Sequence, residues 1–163
     1  MAPDMLDTPN TPAGPDRLDT PEHRRPGAIL FVCGMNAIRS PIAEALARAL
    51  LPSGIYIASA GVKRGERDAF VDAVLEEESL NLGRRQPQTL DDLEDDYFDL
   101  VVTLSPEAHH AALELTRSSA VEVLYWPTPD PTGTTGTREQ ILDAYRDVRD
   151  RLKRHIIDRF VAR

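Results

Sequence analysis

The amino-acid sequence predicts an α/β fold, a small doubly wound three-layer domain with a four-stranded parallel sheet. Four short apolar runs alternate with segments in which apolar residues recur at helical spacing. The first run is continuously apolar, which is typical of a strand buried on both faces in a parallel sheet. Strands and helices that alternate in this way place helices on both faces of one sheet.

The predicted elements follow one another from residue 28 onward. The strands are "AILFVC", "IYIASAG", "FDLVVTLS" and "VEVLYW", which begin at Ala28, Ile55, Phe98 and Val121. Helices are expected for "SPIAEALARALL", for residues 68–81 and for "PEAHHAALELT". In the first helix Ser40 is a candidate cap, and Pro41 occupies a first-turn position. A long final helix begins at about Thr137 and carries one apolar face: Ile141, Tyr145, Val148, Leu152, Ile156 and Phe160.

Length and composition indicate one domain preceded by a tail. A chain of 163 residues with 41% hydrophobic content can build one core but is short for two. Residues 1–26 repeat Asp-Thr-Pro and contain almost nothing to bury, so we expect a disordered tail, with a docking or phosphorylation segment as the alternative. Residues 27–163 then form the domain.

Charge and cysteine content exclude several functional classes. The formal net charge of −8 argues against nucleic acid or a membrane surface as a partner, because both are anionic. No run approaches the roughly 18 apolar residues that a membrane span needs. The chain has 1 cysteine and cannot form an internal disulfide, so we expect a reducing compartment, the cytoplasm.

That cysteine, Cys33, stands at the carboxyl end of the first predicted strand, where ligands of parallel sheets bind. The following loop runs into a helix N-terminus, whose free N–H groups favour an anion. Arg39 can grip two anion oxygens, and Ser40 can donate a hydrogen bond to a thiolate. The alternative for Cys33 is a small buried apolar residue. The loop between Cys33 and Arg39 consists of Gly34, Met35, Asn36, Ala37 and Ile38, of which Gly34 relieves steric limits and Asn36 tolerates left-handed dihedrals.

The stretch "VCGMNAIRSP" resembles the C-x5-R-S loop of the low-molecular-weight protein tyrosine phosphatases and of the related thioredoxin-coupled arsenate reductases. The resemblance extends from about Ala28 to the C-terminus. It implies the fold of that family and hydrolysis of phosphate esters through a phosphocysteine, with phosphotyrosine on proteins or a small phosphate ester as substrate. It also implies that Gly34, Met35, Asn36, Ala37, Ile38 and Ser40 bind the phosphoryl group, with Cys33 and Arg39 catalytic.

A second motif, "YWPTPDPTG", follows the last predicted strand and carries the Asp-Pro pair of the family at Asp130. The resemblance implies that Asp130 is the general acid, and expulsion of an alkoxide or phenoxide does require a proton donor. Ser59 resembles the family serine that supports the loop asparagine. No cofactor or metal is implied, and the 4 histidines show no metal-ligand spacing.

Several positions depart from the family pattern. Thr132 and Gly133 follow the Asp-Pro pair, where tyrosine-specific members often carry aromatic residues, so Tyr125 and Trp126 are either a replacement pocket wall or core aromatics. Ile38 stands where many members have a second, protective cysteine. Two other functions therefore stay open, an arsenate reductase that uses an external thiol and a non-catalytic phosphate-binding module.

Overall fold

A computed structural model describes residues 26–94 and 97–161. The predicted tail, apart from its last residue, lies outside the described residues. Four parallel strands form one sheet: β1 (Ala28–Cys33), β2 (Tyr56–Gly61), β3 (Leu100–Thr103) and β4 (Glu122–Tyr125). The strand order is β2-β1-β3-β4, so β1 is central, and every residue of β1 is buried. The predicted four-stranded parallel sheet is confirmed.

Helices cover both faces of this sheet, as the α/β prediction requires. They are α1 (Arg39–Leu50), α2 (Ala69–Glu76), α3 (Pro106–Leu115) and α4 (Arg138–Ile156), which continues as a π-helical turn, Ile157–Val161. Side chains of Ile29 and Phe31 pack in one apolar cluster with α1, α2 and α4, whereas Leu30 and Val32 pack in a second cluster with α3. The alternation of β1 residues between the two clusters follows from the period of two of a strand.

Two local predictions about the helices are wrong. The second helix ends at Glu76 rather than near residue 81, because Ser79 adopts a φ of 61° and the Leu80 N–H donates to the Leu75 carbonyl at 2.9 Å, which closes the helix. Ser40 does not cap α1, which begins one residue earlier and has no side-chain cap. The Ser40 hydroxyl is used instead in contacts with Cys33 and Asn36.

The long final helix follows the predicted apolar face with one change. Tyr145, Val148, Leu152 and Ile156 are buried, and Leu142 is buried where Ile141 is only partly covered. Thr137 caps this helix as the first residue of a capping box with Gln140. None of the helices in residues 26–94 and 97–161 is long and apolar enough to cross a membrane.

The segment that follows β2 packs directly on the loop that follows β1. The Val62 and Lys63 N–H groups donate to the Cys33 and Gly34 carbonyls at 3.1 and 2.8 Å. A Cβ atom on Gly61 would lie 2.7 Å from the backbone nitrogen of Asn36 and 2.5 Å from the Lys63 carbonyl oxygen. Only glycine therefore allows the two backbones to approach so closely.

We expect Gly61→Ala to lower the free energy of unfolding by about 1–3 kcal/mol, because the added methyl group meets backbone rather than a mobile side chain. Urea denaturation followed by circular dichroism measures this change. Gly54→Ala is the matched control, since a Cβ there meets nothing within 4 Å, and it should be neutral or slightly stabilising. Equal stability of the two variants would contradict the close approach.

Candidate active site

The loop between β1 and α1 curls around the side chain of Cys33. We call residues 34–38 the Cys33 loop. Asn36 adopts a φ of 55°, the left-handed region that asparagine tolerates better than most residues. This conformation aims the Asn36 N–H at the Cys33 Sγ, 3.3 Å away. The Ser40 Oγ lies 3.0 Å from the same sulfur and accepts a hydrogen bond from the Asn36 amide at 2.8 Å. Two acceptors are within reach of its own hydrogen, the Cys33 sulfur and, at 3.4 Å, the Ala60 carbonyl oxygen.

A pocket of about 390 Å³ opens over this sulfur. It brings together three predicted site residues: Cys33 and Arg39, at the two ends of one loop, and Asp130, which is distant from them in the sequence. The Cys33 loop contributes Met35, Ala37 and Ile38 to the lining. The remaining lining residues come from the segments after β2 and β4: Gly65, Glu66, Asp68 and Thr132.

Arg39 is the first residue of α1, and its guanidinium reaches across to the segment that carries Asp130. Its Nη1 donates to the Thr128 carbonyl oxygen at 2.9 Å. The Thr128 hydroxyl in turn donates to the Trp126 carbonyl at 2.8 Å. These contacts hold the start of α1 and the segment after β4 in one position and leave further guanidinium N–H groups for a ligand.

Asp130 begins a single 3-10 turn, Pro131–Gly133. Its Oδ1 accepts hydrogen bonds from the Thr132 N–H at 3.0 Å and from the Thr132 hydroxyl at 2.8 Å. Burial favours a higher pKa for Asp130, but the two Thr132 hydrogen bonds and the positive charge of Arg39 outweigh it and hold the pKa below its usual range. In the free protein the carboxylate is therefore ionised at neutral pH.

A comparison of the sequence with models of known protein families agrees with this arrangement of Cys33, Arg39 and Asp130. The sequence model described as "Low molecular weight phosphotyrosine protein phosphatase" matches residues 28–160. The chain belongs to this family. The matched range includes all four strands, the Cys33 loop and Asp130.

The names of similar proteins record different activities. A glutaredoxin arsenate reductase of Synechocystis is 25% identical over 128 residues, which are 78% of this chain and 92% of that protein. A solved tyrosine phosphatase of Erwinia amylovora is 25% identical with a TM-score of 0.66, covering 81% of this chain and 89% of its own. An arginine phosphatase of Geobacillus stearothermophilus is 25% identical with a TM-score of 0.68, covering 82% and 90%. Family membership alone therefore leaves the substrate open.

Behind the pocket, a buried polar network anchors this phosphatase-family loop. The Asn36 Oδ1 accepts from the Arg85 guanidinium at 2.8 Å and from the Gln88 N–H at 2.9 Å. Its Nδ2 donates to Ser40 and, at 3.0 Å, to Ser59. The contact of Ser59 with the loop asparagine is thus present in the structure.

A buried carboxylate completes this network. Glu44 is 3% exposed and forms ion pairs with Arg48 at 3.0 Å and with Arg85 at 3.3 Å. It also accepts a hydrogen bond of 2.5 Å from the Ser59 hydroxyl. Burial lowers the pKa of Arg85 while Glu44 opposes that change, and arginine stays charged in either case. Two opposite charges therefore stabilise each other behind the Cys33 loop.

Three residues of this network were not predicted from the sequence: Glu44, Arg85 and Gln88. For Glu44 a signal was available, because it lies four residues after Ser40 and therefore on the same face of α1. A carboxylate among Ile42, Ala43 and Ala45 on a core-facing helix requires a buried partner. Nothing in the local sequence marks Arg85 or Gln88, which reach Asn36 only through the folding of the segment before β3.

The structure brings neither Tyr125 nor Trp126 to the pocket. Trp126 lies in the core, 8% exposed, with its ring stacked on His155 at a centroid distance of 4.9 Å. Tyr125 stacks on His109 at 4.6 Å. Tyr125 is the last residue of β4 and Trp126 comes directly after it. β4 is an edge strand, which β3 separates from β1. The pocket-wall alternative is therefore not supported, and Trp126 is a core aromatic. Within the described ranges, no three His, Cys, Asp or Glu side chains are placed to hold a metal ion.

We expect Ser59→Ala to cost about 1–3 kcal/mol of unfolding free energy, because it removes one hydrogen-bond partner from each of three buried polar side chains, Asn36, Glu44 and Arg85. The same change should lower enzymatic activity by loosening the Cys33 loop. Chemical denaturation and steady-state kinetics measure the two effects. Ser119→Ala, which removes one exposed hydrogen bond to the Thr116 carbonyl, is the control and should stay within about 0.5 kcal/mol. A Ser59 variant that behaves like this control would contradict the supporting role.

Proposed function

We propose that the protein is a cysteine-dependent phosphatase, in which Cys33 accepts the phosphoryl group and passes it to water. One observation carries this proposal: the Cys33 Sγ, Arg39 and Asp130 line the same pocket. Protein phosphotyrosine is the substrate that the family description favours, and a small phosphate ester is the alternative. The matched range supports residues 27–163 as the phosphatase domain. The single cysteine suits the reducing cytoplasm, where we propose that the protein works.

The first chemical step transfers the phosphoryl group to sulfur. The Cys33 thiolate attacks phosphorus, and the bond to the leaving group breaks while Asp130 gives a proton to the departing atom. The step uses the protonated form of Asp130, which becomes more populated as the pH falls, because the pKa of Asp130 is lowered. Arg39 and the N–H groups of the Cys33 loop stabilise the three equatorial oxygens. The hydrogen bond from Arg39 to the Thr128 carbonyl already fixes the guanidinium in place, so less reorganisation is needed to stabilise these oxygens.

The second step regenerates the enzyme. The Asp130 carboxylate takes a proton from a water molecule, whose oxygen attacks phosphorus while the bond between sulfur and phosphorus breaks. Inorganic phosphate leaves, and Cys33 returns to the thiolate. The Ser40 hydroxyl, 3.0 Å from Sγ, is placed to stabilise the sulfur as it departs.

Arsenate reduction is a second candidate, favoured by the name of the Synechocystis relative. Arsenate has the shape and charge of phosphate, so the Cys33 thiolate would form a bond to arsenic in the same pocket while one arsenic–oxygen bond breaks and that oxygen, protonated, leaves as water. An external thiol such as glutathione would then attack the Cys33 sulfur and release arsenite, leaving a mixed disulfide. A second external thiol would reduce that disulfide, because the chain holds 1 cysteine.

Removing the nucleophile or the acid tests the phosphatase proposal. We expect Cys33→Ser to abolish phosphate release from p-nitrophenyl phosphate, and Asp130→Asn to lower kcat/KM by about 10²–10⁴-fold. Acid quenching of the wild type during turnover should trap phosphocysteine, detected by mass spectrometry. Asp158→Asn, an exposed residue outside the pocket, is the control and should keep full activity.

Two outcomes would contradict the phosphatase proposal. Wild type that is as inactive as Cys33→Ser but binds a phosphopeptide tightly would indicate a non-catalytic module. Wild type that releases no phosphate but consumes arsenate in the presence of glutathione and glutaredoxin would favour the reductase.

The hydroxyl of Thr132 provides a separate test of Asp130. Its hydrogen bond contributes to the lowered pKa of Asp130, so Thr132→Val should raise that pKa. The protonated acid then persists to higher pH, and the basic limb of the kcat/KM profile should move upward. Thr132→Ser keeps the hydroxyl and should leave the limb in place. An unmoved limb in Thr132→Val, or an equal shift in both variants, would show that Asp130 is not the acid in this step.

A further inference from the structure

A second pocket, of about 270 Å³, lies against the buried polar network that supports the Cys33 loop. We call it the rear pocket. Helix α1 forms one side of it, with Glu44 and Arg48, and the segment between α2 and β3 forms the other, with Asn81 and Arg85. It shares no lining residue with the active-site pocket. A ligand bound here would therefore be distinct from the phosphate compound over Cys33.

The acidic side chain of the rear pocket is already fully engaged. Glu44, the one carboxylate among the lining residues, is 3% exposed. Its Oε1 accepts a hydrogen bond from the Ser59 hydroxyl and pairs with Arg85, and its Oε2 pairs with Arg48 at 3.0 Å. Neither oxygen is left for a cationic ligand.

The hydrogen-bond donors of Arg85, by contrast, are only partly used. Its Nε pairs with Glu44, and its Nη2 donates to Asn36 and Ser59. Its Nη1 makes no hydrogen bond to any of residues 26–94 and 97–161. Because the Arg85 side chain is only 17% exposed, leaving a charged N–H group without an acceptor is costly. This nitrogen calls for an acceptor that the protein does not supply.

Two further side chains bring unused donors to the same pocket. Arg48 uses its Nη2 for Glu44 and for the Ile57 carbonyl, whereas its Nε and Nη1 have no partner in the described part of the chain. The Asn81 Oδ1 accepts from the Gly83 N–H at 3.0 Å, which orients the amide and leaves its Nδ2 to donate. Donors in excess of acceptors, two of them on guanidinium groups, are the chemistry that binds a carboxylate.

The rest of the rear pocket favours a short aliphatic chain. Its remaining walls include Ala45, Ala49, Leu80 and Leu82, which offer only methyl and methylene groups. An adjoining pocket shares Leu80 and Asn81 but is lined by the carboxylates of Asp72 and Glu76. A nucleotide or another extended polyanion would meet these negative charges, whereas a small ligand with one negative charge would not reach them.

Arg85 also connects the rear pocket to the Cys33 loop. The same guanidinium that lines the pocket donates from its Nη2 to the Asn36 Oδ1 at 2.8 Å. Asn36 in turn directs its backbone N–H at the Cys33 Sγ. A ligand that bonds to the free Nη1 leaves the contact with Asn36 in place and restricts the movement of the guanidinium that makes it.

We propose that the rear pocket binds a small aliphatic carboxylate through Arg48, Asn81 and Arg85, and that Arg85 transmits this binding to the Cys33 loop. The carboxylate oxygens accept from the free donors, and the chain lies against Leu80 and Leu82. The inference goes beyond the phosphatase proposal and does not depend on it, because it involves no chemical step.

A titration of the full chain, labelled with ¹⁵N and followed by NMR, tests the proposal with two probes of the same shape. Butyrate carries the negative charge, and butyramide is its neutral counterpart. Butyrate should shift the amide resonances of residues 79–85 and of Asn36, and butyramide should shift neither. The dissociation constant for butyrate should rise with salt, because part of the attraction is between exposed charges.

Asn81→Asp is the decisive variant. It keeps an oxygen for the Gly83 N–H and replaces the donating Nδ2 with a negative charge, so the fold is retained while a carboxylate is repelled. The dissociation constant for butyrate should rise at least about threefold, and Arg48→Gln should raise it similarly. Arg117→Gln is the matched control, since it removes an exposed ion pair with Glu114 outside the pocket, and it should bind butyrate as the wild type does.

Each remaining outcome counts against a stated part of the proposal. Equal shifts with butyrate and butyramide, or no shift at residues 79–85, would overturn the carboxylate site. Butyrate that binds Asn81→Asp as tightly as the wild type would do the same, because it would then bind elsewhere. Shifts confined to residues 79–85, without Asn36, would overturn the transmission to the Cys33 loop. Failure of the protein to release phosphate from p-nitrophenyl phosphate would overturn the phosphatase proposal and leave this one standing.

Discussion

The side chain of Asn36 connects the Cys33 loop to three other parts of the fold. Its amide makes all four hydrogen bonds available to it, donating to Ser40 and Ser59 and accepting from Arg85 and Gln88. Its backbone takes the left-handed conformation that turns its own N–H toward Cys33. The shape of the loop, the direction of the sulfur and the start of α1 all depend on this one residue.

The charges around the site lie in two layers with different roles. Behind the loop, Glu44 and Arg85 are buried together, and burying them is costly unless each keeps its partners. Their hydrogen bonds to Ser59 and Asn36 make that arrangement specific. In front of the loop, Arg39 faces an acidic wall open to solvent. The rear layer therefore holds the loop in position, and the front layer presents one positive and three negative side chains to the pocket.

Local sequence patterns predicted the secondary structure well where the spacing of apolar residues reflects which side chains are buried. The continuous apolar run at Ala28–Cys33 is a central strand whose residues are all buried, and the apolar face of the final helix packs on the core. Prediction failed where a polar side chain had a tertiary partner. Ser40 has the residue type of a helix cap, but its hydroxyl is hydrogen-bonded to Cys33 and Asn36 instead. The end of α2 depends on the left-handed backbone of Ser79, a residue that rarely adopts it.

The sequence by itself determined the order of the strands and helices along the chain and the spacing between Cys33 and Arg39, because both depend on residues close together in the chain. It also determined the family, through motifs that are local. Only the tertiary structure decided that Trp126 belongs to the core, that Glu44 and Arg85 pair behind the Cys33 loop, and that Glu66 and Asp68 line the pocket. Those contacts join residues from separate crossovers of the sheet, so they exist only once the strands have taken their order and the helices have packed on its faces.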